Sequence, residues 1–558
     1  MILLDQIREK KLIELAKTRF DPDLKPAELK VLRDSVTSED LSEVEKDAPR
    51  LDIRPEFVRW LVTDPDAIPY IDPQGLRVYD VTFTGKLDLE NCRILVPLDF
   101  GRCTMKGEIN LQFAETRGIF LLNSSFDGGI RAAGIDIQGP LYLQGSSFSG
   151  QICLVGAKIK GVLDCQGSKL NGPEGDALFA DGVEIGGDAF LCDDFESSGA
   201  IRLLGATIKG DLDCNGAKLH VKDKDRDALL ACNAEIEGNA LFRQGFESLG
   251  NISLFGARIR GQIAFYGASV ARIDCTNLQV SGDLYWMGIK KSEETSLDLM
   301  GASLKNLCDD EDSWPQKGNL SLNDLSYEEL TLHYPPTPQQ MKDDNLDDNL
   351  TVPLKLDAGE GTKKRIRWLQ RQPDDQCIKP QPWMQLSKYL EARGQHRAAK
   401  QVCYAQKCMQ AHNRWPGKWF FVRWSAIAFA CLEESLIRIL YPIAITLVLG
   451  TLIFAGTDRS GAMMQTDDKV AKERYPHFQP FIYTLENTLP VGRLGMDDKW
   501  TPNPAHTPGP CIPEHHGFDW LRVFNSYWFL AVSRWSLILL GWFYSAVLGA
   551  ALLGRFKE

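Results

Sequence analysis

The chain has 558 residues and a formal net charge of −12, long enough for roughly three or four domains with sizeable cores. That charge excludes a protein that coats nucleic acid over its whole surface, while leaving room for local basic patches. Its fourteen cysteines include no C-x-x-C pair, which excludes a zinc ribbon and a thioredoxin-like redox site; neither a metal nor a cofactor is expected.

The N-terminus reads "MILLDQIREKKL". Charges at Asp5, Arg8, Glu9, Lys10 and Lys11 leave too short an apolar run for a secretory signal. Residues 1–74 are therefore expected to form a helical cap in the cytosol.

From residue 75 the chain repeats itself. "ICLVGAKIKGVLDCQGSKL" from Ile152 returns as "IRLLGATIKGDLDCNGAKL" from Ile201 and as "ISLFGARIRGQIAFYGASV" from Ile252, at offsets of 49 and 51 residues. Apolar residues alternate within each copy, and glycines interrupt them at short intervals, which is strand patterning broken by tight corners. A helix needs apolar spacings of three and four, and each interior glycine would cost it ~1 kcal/mol. Short strands, regular corners and no helical crossover predict a right-handed β-solenoid over 75–322, with about two coils per fifty residues and about ten coils between Gly75 and Leu304. A β-sandwich does not account for near-verbatim recurrence. Ile201, Leu203, Ile208 and Leu212 are expected to point inward. Cys165 and Cys214, at equivalent places in successive copies, should stack as small apolar residues and stay reduced. Asp211 and Asp213 read as solvated outward positions.

An acidic, proline-dotted linker, "HYPPTPQQMKDDNLDDNL", lies within 323–362. A basic segment follows over 363–423, with fourteen Lys and Arg against Asp374, Asp375 and Glu391. Within it Leu386, Tyr389 and Leu390 share one helix face, Gly394 offers a turn, and Ala398, Ala399, Val402 and Ala405 form a second face. This resembles one helical hairpin of the tetratricopeptide kind. A single hairpin cannot stack on its own kind, so packing on the β-helix or the membrane is expected. Cys403, Cys408 and His412 do not make a metal site: on a helix the two cysteines point about 140° apart, and a fourth ligand is missing.

Five phrases occur in order: "IRPEFVRWLV" from Ile53, "GLRVYDVTFTGKLDLENCRILVPLDFGRC" from Gly75, the "FESSGAIRLLGATIKGDLDCNGAKL" repeats, "LNDLSYEEL" from Leu322, and "QPWMQLSKYLEARGQHRAAKQV" from Gln381. Together they resemble an uncharacterised bacterial membrane-associated family, related in style to pentapeptide-repeat and bactofilin-like β-helices, whose members are often labelled oxidoreductases. The resemblance implies a membrane-associated β-helix. It does not carry the activity, because the chain has no G-x-G-x-x-G after a strand, no C-x-x-C and no haem attachment motif.

Residues 424–558 read as a transmembrane domain. Two uncharged runs, 439–456 and 535–554, are long enough at 1.5 Å per residue to span a bilayer core of about 30 Å, with aromatic flanks at Tyr441, Trp535 and Trp542. Arg414, Lys418, Arg423 and Arg438 crowd before the first run and Arg555 and Lys557 follow the second, whereas 457–526 holds seven basic and nine acidic residues. The positive-inside rule then places the N-terminal domain and the C-terminus in the cytoplasm of a bacterial inner membrane. Between the runs, "FQPFIYTLENTLPVGRLG" over 478–495 reads either as an extracytoplasmic helix and loop of an anchored protein or as the re-entrant helix and turn of a two-span pore-loop channel, with Pro490, Val491, Gly492, Arg493, Leu494 and Gly495 as candidate pore residues and Arg493 opposing cations.

Three function classes compete. The first is a homo-oligomeric ion channel, a tetramer by analogy, with a cytosolic β-helix as sensing or assembly domain; its layout is that of effector channels in anti-phage defence. In that reading Lys363, Lys364, Arg365, Arg367, Trp368, Arg371, Arg393, Arg397 and Lys400 would hold an anionic nucleotide or oligonucleotide by charge and stacking, or else face anionic lipid. The second is a membrane-anchored β-helix scaffold that polymerises or docks partners. An enzyme is the third, disfavoured because polysaccharide-cleaving β-helices work outside the cell; no catalytic residue is expected.

Overall fold

The structure, a computed structural model, describes residues 2–20, 24–36, 51–223, 225–333, 359–414, 436–455, 457, 461–466, 476–489, 494–505 and 526–555. They fall into two compact units, residues 1–402 and 403–558.

The first unit is a parallel β-solenoid of about eleven turns. One coil shows how it is wound. Its four short strands, Ser125–Phe126, Ile130–Arg131, Asp136–Ile137 and Leu141–Tyr142, each pair with the matching strand of the next coil, so that Phe126 lies beside Phe148, Ile130 beside Ile152, Ile137 beside Ile159 and Leu141 beside Leu163. Like therefore stacks on like, and all eight side chains are buried. The corners recur at even spacing through Gly134, Gly145, Gly156 and Gly167, all at positive φ. At Gly134 a β-carbon would meet the ring of Phe113 at 2.7 Å, so both the left-handed backbone and the close approach demand glycine.

The long and slightly uneven repeat offsets have a simple origin. Ile152 pairs with Leu178 and Leu178 with Ile201, a longer coil followed by a shorter one; Ile201 pairs with Leu229 and Leu229 with Ile252, again the longer before the shorter. Each near-verbatim copy is thus two coils. Extra residues are absorbed as register shifts at Asn171/Asp176 and Asp227/Leu229. Ile201, Leu203, Ile208, Leu212, Cys165 and Cys214 are all buried, as their alternation requires. Asp211 and Asp213 are not simply solvated: Asp211 accepts the Asn239 N–H at 2.7 Å, and half-buried Asp213 accepts that of Asn215 at 2.9 Å. Burial pushes the Asp213 carboxyl up.

Helices close both ends. At the start lie α1 (Ile2–Arg19), α2 (Pro26–Asp34) and α3 (Pro55–Thr63). The strand Leu51–Ile53 pairs with Val81–Phe83, so the cap enters the solenoid. Glu28 of α2 is buried and gripped at two oxygens by Arg54, at 2.6 and 2.7 Å. The last strand, Ser326–His333, runs past the expected boundary at 322, and residues 334–358 lie outside the described part. Beyond come α4 (Glu360–Leu369), α5 (Asp374–Cys377), α6 (Pro380–Ala392) and α7 (His396–Arg414). The expected hairpin is α6 and α7, turning at Gly394 with φ +73°. Leu386, Leu390, Ala398, Ala399 and Val402 are buried. The rest of the basic segment, 415–423, is outside the described residues.

The second unit contains α8 (Leu436–Phe454), α9 (Pro480–Thr488) and α10 (Tyr527–Arg555), and a strand pair, Met463–Gln465 with Trp500–Pro502. Among the described residues one helix is long and apolar enough to cross a membrane, over Tyr527–Ala546. That stretch begins before the expected 535–554 and includes Arg534. The apolar part of α8, Leu440–Phe454, is fifteen residues, about 22 Å of helix, shorter than the run 439–456 suggested.

Candidate functional site

The nine residues read as a nucleotide site are divided between α4 with the turn after it and the α6–α7 hairpin. Arg365 of α4 is buried and forks onto Asp309 of the solenoid at 2.6 and 2.7 Å, between the rings of Trp314 and Trp368 at 5.7 and 5.3 Å. Trp314 Nε1 donates to the same carboxylate at 2.9 Å, and Trp368 is itself buried. Arg371 donates to the carbonyls of Trp314 and Pro315. Lys364 and Arg367 pair with Glu311, and Arg393, over the Tyr389 ring, reaches Glu329. Six of the nine residues thus fasten the helices to the last coils, and Lys363, Arg397 and Lys400 are exposed.

The same docking solves a backbone problem. A parallel solenoid ends in a coil whose outer carbonyls have no following coil to accept from. Gln381, Gln385 and Tyr389, each one turn further along α6, donate to the carbonyls of Leu325, Tyr327 and Leu330 at 3.0, 3.1 and 3.2 Å. Asp324 N–H donates to Gln381 Oε1 at 2.8 Å. Side chains of α6 stand in for a further coil.

The second unit holds the arrangement with functional potential. Helix α9 is nine residues long, starts on Pro480 and is packed between α8 and α10. Two glycines make the room: a β-carbon at Gly450 would overlap Thr484 Cγ2, and one at Gly541 would overlap the Thr488 carbonyl oxygen. Tyr483, Thr484, Asn487 and Thr488 are buried, and Tyr483 packs on Phe454 and Phe478 at 5.0 and 5.3 Å. The Thr446 and Tyr544 hydroxyls join α8 to α10 at 2.8 Å.

One carboxylate of α9 holds the described residues that follow it. Glu486 accepts the N–H groups of Gly495, Met496 and Asp497 at 2.9, 2.8 and 3.0 Å. Arg534 of α10 pairs with Asp497 and donates to Asn487 Oδ1 at 3.2 Å. Of the candidate pore residues, Leu494 is exposed and Gly495 has φ +85°, while Pro490, Val491, Gly492 and Arg493 lie outside the described residues. Glu486, Asp497, Arg534, Gly450 and Gly541 were missed in the sequence. Arg534 had a signal, a charge inside a long apolar run.

In the solenoid core burial pushes the Cys165 and Cys214 thiols up and that of Cys192 to about 12, away from the reactive thiolate. Among the described residues no cluster of His, Cys, Asp and Glu could hold a metal. No family model, curated protein or solved structure matches the chain. The structure is that of a repeat β-helix, and no comparison supports the pentapeptide-repeat or bactofilin-like label.

Proposed function

We propose that the chain is a membrane-anchored β-helix protein that assembles with copies of itself into an ion-conducting pore, with no enzymatic activity. The carrying observation is α9, a short helix seated between two apolar helices on Gly450 and Gly541, whose Glu486 accepts the N–H groups of Gly495, Met496 and Asp497. A helix that only linked two anchors would not need glycine seats. Backbone off the helical ladder is tolerated at membrane depth where it is buried in protein or lines a water path. In this reading the solenoid lies in the cytoplasm of a bacterial inner membrane as assembly or sensing module. A gating nucleotide, as in an anti-phage effector, would meet exposed Lys363, Arg397 and Lys400 rather than Arg365.

The polymerising scaffold is the weaker reading, because α6 occupies the sheet edge on which another solenoid would add. The deciding experiment is bilayer recording of the full-length chain in a salt gradient. Parent protein is expected to conduct, and Arg493→Gln is expected to move the reversal potential toward cation preference. A conducting parent whose reversal potential ignores Arg493→Gln puts the path elsewhere, and ion-tight membranes under all conditions leave the anchored scaffold.

A further inference from the structure

Helix α10 carries two seams, and only one has its partner among the described residues. The inner seam is Leu530, Arg534, Leu537, Gly541 and Tyr544, spaced four, three, four and three. Leu530 and Leu537 are buried, Arg534 holds Asp497, Gly541 seats Thr488 and Tyr544 meets Thr446. The outer seam is Trp528, Val532, Trp535, Leu539 and Trp542, with the same spacing. On α8 the residues Tyr441, Ile445, Val448 and Leu452 repeat it at four, three and four. All nine outer side chains are 58 to 75 % exposed.

We infer that the outer seam of α10 packs against the outer seam of α8 in a second copy of this chain. The inference rests on the proposed assembly but not on conduction. Three observations carry it. First, within an exposed face that also includes Leu440, Leu449, Leu540 and Phe543, these nine strongly exposed residues keep the seven-residue spacing of a helix–helix contact on both helices. Second, the outermost of the three tryptophans lie fourteen positions apart, about 21 Å of helix, so they cannot all sit in the interfacial belts where tryptophan faces lipid. Third, the depths match. Within one chain α8 and α10 run antiparallel, with Thr446 beside Tyr544 and the Gly450 β-carbon position 3.3 Å from Leu537 Cδ2. That register levels Ile445 with Trp542, Val448 with Leu539, and Leu452 with Trp535.

Copies related by an axis along the membrane normal keep each residue at its own depth. The same three pairs therefore meet between neighbours, with a bulky residue of α10 against an aliphatic one of α8 at each level. About a two-fold axis the contact closes as a dimer, with α10 of each copy against α8 of the other, and about a higher axis it closes as a larger ring. The nine exposed side chains offer on the order of 1,000 Å² per contact, near the roughly 1,200 Å² at which specific interfaces begin.

The test is oxidative crosslinking of the full-length protein in membranes, with the parent as control for its native cysteines. Val448→Cys/Leu539→Cys is expected to give a ladder of dimer, trimer and higher species on non-reducing electrophoresis, and each single variant none beyond the parent. Ile445→Cys/Trp542→Cys should behave alike, and the depth-mismatched Ile445→Cys/Trp535→Cys should not. A dimer from Leu539→Cys alone overturns the inference, since two α10 seams would then face each other. Absence of any crosslinked species from both matched pairs also overturns it, and reaction of those cysteines with a membrane-soluble maleimide would assign the seam to lipid; a dimer without higher species keeps the seam and sets the number of copies at two. Crosslinking without ion flux removes the pore and keeps the seam; flux without crosslinking does the reverse.

Discussion

Arg365 and Asp309 are 56 residues apart in sequence and meet as a buried, two-pronged ion pair that ties α4 to the solenoid. Removing one partner strands the other charge away from water, which costs about 3–5 kcal/mol, whereas replacing both with apolar residues is far milder. Arg365→Ala is accordingly expected to loosen α4 to α6, seen as faster amide exchange in α6 and a lower melting temperature. Arg365→Met with Asp309→Leu should recover most of the loss. Equal destabilisation by single and double variants would show that the pair does not hold the cap.

The inward alternation of the solenoid gives a second test. Leu203→Asp buries a carboxylate without a partner and is expected to cost several kcal/mol, whereas Lys209→Asp on the exposed side should fall within about 0.5 kcal/mol. Thermal unfolding of the two variants beside the parent reads the difference directly.

Glycine at 541 should be irreplaceable, and glycine at 549 should not. Gly541→Val drives a side chain into the Thr488 carbonyl and is expected to displace α9, lowering the melting temperature and abolishing flux. Gly549→Ala, on the same helix, meets nothing within 4 Å and should stabilise α10 slightly by helix propensity, under about 1 kcal/mol. Loss of flux in both variants would remove the seat of α9 as the cause.

Asp34 supplies the pH dependence. It ends α2, buried, where both desolvation and the helix C-terminus disfavour its charge; its carboxyl is raised to about 6. Lys30, Arg33 and Arg77 oppose the shift, and Asp80 adds to it. A carboxyl that binds its proton more tightly when folded stabilises the folded state at low pH, and this contribution fades as pH rises from about 4 to about 6. Asp34→Asn should keep the protein at its low-pH stability across that window. A parent and variant with parallel stability curves from pH 4 to 7 would refute the assignment.

The solenoid was legible because its signal is local. Ile201, Leu203, Ile208 and Leu212 alternate, and glycine returns at each corner, so period and composition specify the winding without knowledge of any partner. The basic segment was legible as charge but not as destination. Asp309 and Glu329, which receive Arg365 and Arg393, lie 56 and 64 residues earlier along the chain. Glu311, which receives Lys364 and Arg367, belongs to the same distant coils, and no spacing rule joins either end to the other. Side chains that grip a neighbouring element and side chains that grip a phosphate look alike in a sequence. In the second unit the apolar runs showed that two helices were present, while the seat of α9 depended on Gly450 and Gly541, whose role is the absence of a side chain.

The order of synthesis gives the α6 cap a temporal meaning. The Leu330 carbonyl, in the last strand, is covered by the hydroxyl of Tyr389, 59 residues later in the chain. At about 5–20 residues per second, a nascent solenoid waits roughly 3–12 s with a raw sheet edge before its own lid emerges. Chains on neighbouring ribosomes of one message pass through that interval side by side, so crowding on the message, rather than the stability of the finished protein, governs how often two unfinished rods capture one another.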